Sequence, residues 1–213
     1  MNWLTSTLWS SVGKKLMMAV TGLGFCIFLT VHLAGNLTLY VGKDAFNAYS
    51  ERLHSFGPLL TIAEIGLLFF AVVHVLTGAT LFYQNFKARP VRYSVNKRAG
   101  GRTIGSATMP YTGFVLLLFV IFHLANFHFV DKTNTTIFQI ISSAFAKPGH
   151  VFIYIVAMII SAIHVSHGFW SAFQTLGASH PKYMPYIKGA SIIFSLAIGI
   201  GFGCVPIFVA LMA

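Results

Sequence analysis

Five long apolar segments constrain this chain more than any other feature. They run roughly Leu16–Val41, Pro58–Phe86, Ala107–Val130, Pro148–Leu176 and Ile187–Met212, and each meets the length of about 20 residues needed to cross a bilayer as a helix. Connections consume nearly all the other residues, so one membrane domain fills 1–213. Only 8% of residues are charged and 56% are hydrophobic, which excludes an ordinary water-soluble globule. The sequence therefore predicts an all-α, integral membrane bundle of five transmembrane helices. The first segment follows Lys14 and Lys15 as a secretion signal would, but it is too long and lacks a small-residue cleavage site, so it reads as a retained helix. Cys26 and Cys204 lie inside apolar segments and read as small core residues. Without a C-x-x-C-H run, no thioether-attached haem is available.

The net charge of +10 follows topology and calls for no nucleic acid. With alternating helices, Lys14, Lys15, Lys87, Arg89, Arg92, Lys97, Arg98, Arg102, Lys182 and Lys188 fall on one side. That side is cytoplasmic by the positive-inside rule, which puts the N-terminus inside and the C-terminus outside. Trp3 and Trp9 read as anchors in the headgroup layer. Asp44 is expected to cap a surface helix bearing Phe46, Tyr49, Leu53 and Phe56 on one face, and Thr135–Phe145 a second such helix. The Asn134-Thr135-Thr136 sequon reads as incidental. The basic loop from Lys87 to Arg102 fits a lipid-facing topology determinant or a docking surface for a cytoplasmic partner, and both readings stay open.

Five of nine histidines, His32, His74, His123, His164 and His167, lie within spans, where an imidazole is costly unless it is paired or bound. Their surroundings repeat. His-Leu-Ala-Gly at His32 matches His-Leu-Ala-Asn at His123, and His-Val-Leu-Thr-Gly at His74 matches His-Val-Ser-His-Gly at His164. Helices one and two thus resemble three and four. At 1.5 Å per residue, His32 and His123 lie about 12–17 Å from polar residues on the outer side. His74 and His164 lie about 24 Å in from Pro58 and Pro148. Two levels with two histidines each match two stacked metal centres. Zinc would want cysteine or carboxylate help, whereas a b-type haem needs one imidazole from each of two facing helices and an apolar slot. Gly22, Gly24, Gly78, Gly113 and Gly168 can open that slot. His167, one turn from His164, is the alternative ligand; its counterpart in the repeat is Thr77, which favours His164.

These residues resemble the five-helix, single-subunit type of di-haem cytochrome b (the b558 family) that anchors bacterial succinate dehydrogenases and fumarate reductases. The resemblance rests on Ser11-Val12-Gly13-Lys14-Lys15, Met18-Ala19-Val20-Thr21-Gly22, Val31-His32-Leu33-Ala34-Gly35-Asn36, Ala45-Phe46-Asn47-Ala48-Tyr49 and the stretch from His167 to Gly177. It implies an electron-transfer subunit of complex II in a bacterial inner membrane, with flavoprotein and iron–sulfur subunits on the cytoplasmic side. Two haem b groups are expected, a distal one held by His32 and His123 and a proximal one by His74 and His164. Menaquinone is the implied quinone, lipid surrounds the bundle, and a higher oligomer of the whole complex is compatible with it. Ala162 departs from the family, since some members carry a proton-conducting glutamate two residues before the fourth-helix ligand. Glu64, the one acid well inside a span, is expected to be buried near the quinone and to exchange its protons, with Glu51 and His54 relaying them to the outer side. Rival readings are the cytochrome b of a formate dehydrogenase or hydrogenase, and a cofactor-free transporter or channel. The stretch from His167 to Gly177 argues against the first, and a b-type spectrum would exclude the second.

Overall fold

A computed structural model describes residues 2–88 and 103–212. The docking surface expected on Arg89, Arg92, Lys97, Arg98 and Arg102 lies outside the described residues. Helices are α1 (Trp3–Trp9), α2 (Ser11–Leu37), α3 (Lys43–His54), α4 (Pro58–Lys87), α5 (Ile104–Phe127), α6 (Ile137–Phe145), α7 (Pro148–Thr175) and α8 (Met184–Met212). There is no strand among the described residues. Five helices, α2, α4, α5, α7 and α8, are long and apolar enough to cross a membrane, which makes this a multi-pass membrane protein.

Helix boundaries follow local chemistry. Ser10 caps α2 by accepting from the Gly13 amide at 3.0 Å, so the helix begins in polar sequence, five residues before the apolar stretch. Pro58 and Pro148 open α4 and α7, where the missing N–H costs nothing. α6 starts with a reciprocal capping box between Thr136 and Gln139. Asp44 does not cap α3: Gly42, at φ 130°, holds the cap position and Asp44 lies in the first turn, where its charge favours the helix dipole instead.

α7 is the central element, packing most extensively on α8 and α5 and also on α2; α2 packs in turn on α4 and α8. Small residues draw α7 and α8 together. A side chain at Gly199 would collide with Ala162, at 2.8 Å, and the Ser191 hydroxyl donates to the Ser166 carbonyl. α8 thereby closes the Ala162 position, which leaves no room there for a longer side chain such as a carboxylate. The end of the bundle that carries α3 and α6 is sealed by Leu39, Phe46, Ile141, Phe145, Tyr154, Val205 and Val209. α3 and α6 are tied there by the Phe138 amide, which donates to Asn47 Oδ1 at 3.1 Å. Phe46 is the buried anchor of α3, whereas Phe56, expected on the same face, lies past the helix end and is exposed. Cys26 is half-buried, but Cys204 faces outward from α8 and is not a core residue, because α8 packs through its other side.

Candidate functional site

The two halves of the bundle repeat one contact. Thr21 on α2 meets His74 on α4, Oγ1 to Nδ1 at 3.0 Å, and Thr112 on α5 meets His164 on α7 at the same 3.0 Å. Each threonine hydroxyl also lies within bonding distance of a carbonyl one turn earlier, Met17 at 2.7 Å and Thr108 at 3.1 Å. The hydroxyl hydrogen goes to that carbonyl, leaving the oxygen to accept from the ring. Nδ1 then carries the proton, and the Nε2 lone pair of both imidazoles is free for a metal. Gly22 and Gly113, adjacent to the threonines, let the rings lie close to the facing helix. A Cβ there would meet Cε1 of His74 at 3.5 Å and of His164 at 3.4 Å. Met18 and Met109 lie over Gly78 and Gly168 in equivalent positions, at 3.3 and 3.4 Å.

The second level joins α2 to α5. His32 and His123 face one another with ring centroids 6.0 Å apart and planes at 88°. Phe28 stacks on His32 and Phe202 of α8 covers it, while Phe119 and Phe127 flank His123. Tyr154, buried on α7, places its hydroxyl 3.1 Å from His123 Nδ1, which directs Nε2 away from the tyrosine. A metal–imidazole bond is about 2 Å, so two imidazoles on opposite sides of one metal have centroids about 6 Å apart. The His32–His123 separation meets that requirement, and the surrounding aromatic side chains suit a flat apolar ring. His, Cys, Asp and Glu form no cluster of three or more among the described residues, so a metal held by protein ligands alone does not fit. A haem, whose macrocycle supplies the other four donors, does.

His167 has other commitments. Its Nδ1 lies 3.3 Å from Thr103 Oγ1 and its ring meets Trp170 edge-on at 4.9 Å, an arrangement with no counterpart in the other half. Of the glycines expected to form a slot, Gly24 does not: it is filled by the Phe70 ring.

Glu64 corrects the expectation of a buried, isolated acid. Its side chain is 45% exposed on the protein surface, and its Oε1 lies 4.0 Å from Nδ1 of His128, at the end of α5. Glu51 and His54 lie exposed on α3; His54 Nδ1 donates to the Ser50 carbonyl at 2.7 Å, and neither residue bonds Glu64 among the described residues. Sequence reasoning missed Thr21, Thr112, Tyr154 and His128. The two Thr-Gly pairs were legible, since the interval between them equals that between His32 and His123. Tyr154 and His128 carry no comparable signal.

The fold and site together define a membrane protein of five crossing helices with His32 and His123 in ring contact and His74 and His164 each set by a threonine on the neighbouring helix. The chain is similar to the succinate dehydrogenase cytochrome b558 subunit of Bacillus subtilis (strain 168), with 26% identity over 153 residues, 71% of this chain and 72% of that protein. No family model matches the chain, and no solved structure matches it. The resemblance read from the sequence is thus borne out at the level of that relative.

Proposed function

We propose that the chain is the membrane anchor and electron-transfer subunit of a succinate:quinone oxidoreductase or quinol:fumarate reductase. The observation that carries this is the His32–His123 pair at 6.0 Å, above a second pair set by matching threonine contacts. His32 and His123 hold a distal haem b, and His74 and His164 a proximal one, with His167 the alternative ligand. Each haem supplies a one-electron carrier when bound. Thr21, Thr112 and Tyr154 orient three of the imidazoles, and the aromatic residues around His32 and His123 exclude water. The dicarboxylate chemistry belongs to a flavoprotein subunit reached through an iron–sulfur subunit on the cytoplasmic side. The relative's name points to that complex. The chain contributes the quinone chemistry, with menaquinone as the proposed partner, in a bacterial inner membrane with the N-terminus cytoplasmic.

Glu64 and His128 serve as the proton-exchanging pair beside the quinone. Their contact couples α4 to the end of α5 near the distal level, and both side chains are open to a ligand from the bilayer. Glu51 and His54, on the neighbouring surface helix, continue the route to the outer side.

The test is optical redox titration of single histidine variants. His32→Ala and His123→Ala should each remove the same haem and retain the other; His74→Ala and His164→Ala should do the reverse. Loss of a common haem in His32→Ala and His74→Ala would refute the pairing.

A further inference from the structure

Lys14 is buried, with only 5% of its surface exposed, in the first turns of α2. Its Nζ donates to Gln84 Oε1 near the end of α4 at 3.0 Å. Gln84 is neutral, so among the described residues the amide satisfies one of three ammonium hydrogens and leaves the charge uncompensated. A buried charge is retained only where a counter-charge or a full set of hydrogen bonds meets it.

No side chain of this protein supplies that counter-charge. The four carboxylates are Asp44, Glu51, Glu64 and Asp131. Asp44 and Glu51 lie in α3, Glu64 near the start of α4, and Asp131 just past α5, all toward the bundle end opposite Lys14. From Glu64 to Gln84 the axis of α4 runs about 30 Å. Asp131 is engaged locally as well: the Thr133 hydroxyl and amide donate to it and hold its carboxyl below the usual range. Lys14 therefore awaits an anion from outside the chain.

Position identifies the anion. Lys14 precedes Thr21 by seven residues, two helical turns, and so lies on the same face of α2 about 10 Å along the axis. Thr21 is the residue that binds His74. A b-type haem carries two propionate carboxylates on one edge, and one directed along α2 from the His74 level approaches the lysine stem. We propose that Lys14, steadied by Gln84, seats a propionate carboxylate of the group held by His74 and His164. This rests on the haem reading above and adds an anion-binding residue to it.

The experiment compares haem b with its neutral dimethyl ester. Full-length wild type, Lys14→Gln and Lys14→Arg are prepared from haem-deficient cells and titrated in detergent, the His74/His164 site being followed by its optical spectrum. Lys14→Gln should bind the free acid at that site at least about tenfold more weakly than wild type, with Lys14→Arg retaining most of the affinity. The ester should bind wild type and Lys14→Gln equally. If Lys14→Gln weakens both forms alike, or neither, as it would with a lipid phosphate on Lys14, the proposal is overturned. Wild type alone gives a second check independent of variant folding: it must prefer the free acid at this site, and equal affinity overturns the proposal. A wild-type chain that binds neither form overturns the haem reading along with it.

Discussion

Thr21→Val and Thr112→Val should perturb the same haem, although the two threonines lie in different halves of the chain. Valine keeps the shape of threonine and removes the oxygen that lies 3.0 Å from each ring nitrogen. The imidazole then loses the acceptor for its Nδ1 proton. A hydrogen bond of this kind contributes about 1 kcal/mol net, and loss of such an outer contact to a metal-binding histidine typically costs 10–100-fold in affinity, about 1.4–2.8 kcal/mol. The less basic ligand also favours the reduced metal. If that 10–100-fold loss fell wholly on the oxidised state, the midpoint would rise by about 60–120 mV, from 59 mV per tenfold for one electron, so that range is an upper bound. Spectroelectrochemical titration of purified protein reads both effects, with Thr112→Ser as the control that restores the hydroxyl. Both valine variants should shift one component upward by up to that amount and leave the other unmoved. Shifts in different components would show that His74 and His164 do not share a site, and no shift in either variant would remove the threonines from the account.

Two further outcomes concern Glu64 and Tyr154. Glu64→Gln should keep both haems while quinone-linked turnover of the assembled complex falls at least about tenfold, with dye reduction at the soluble subunits preserved; unchanged quinone turnover would make Glu64 a surface residue only. Tyr154→Phe removes the hydroxyl beside His123 and should destabilise the protein by about 1 kcal/mol while shifting only the component that His32→Ala removes; thermal unfolding and redox titration check the two parts.

Much of the architecture was readable because the membrane imposes it. Apolar length located all five crossing helices, and Pro58 and Pro148 set two starts to the residue. The start of α2 was missed by five residues: Ser11 to Lys15 hold one apolar side chain, Val12, and hydropathy reports the bilayer rather than the helix that a Ser10 cap begins. The level of His32 and His123 was legible because depth along a helix is linear in residue number, and the fold brings these two rings edge-on to a centroid separation of 6.0 Å. Azimuth was not legible in the same way. Whether Glu64 faced the core or the surface depended on how α4 turns against α2 and α5, and a helix apolar on every side gives no periodic signal for that. Lys14 shows the converse: in sequence it is one of two basic residues flanking a span, and only the fold distinguishes the buried one from exposed Lys15.

The central claim is that one chain holds two b haems through four histidines. Purified protein, quantified by amino-acid analysis and by its alkaline pyridine haemochrome spectrum, measures that directly. The account predicts two non-covalently bound haem b per chain, falling to one when any of His32, His74, His123 or His164 is replaced by alanine. A colourless protein, or a wild-type ratio of one that His74→Ala leaves unchanged, would contradict it.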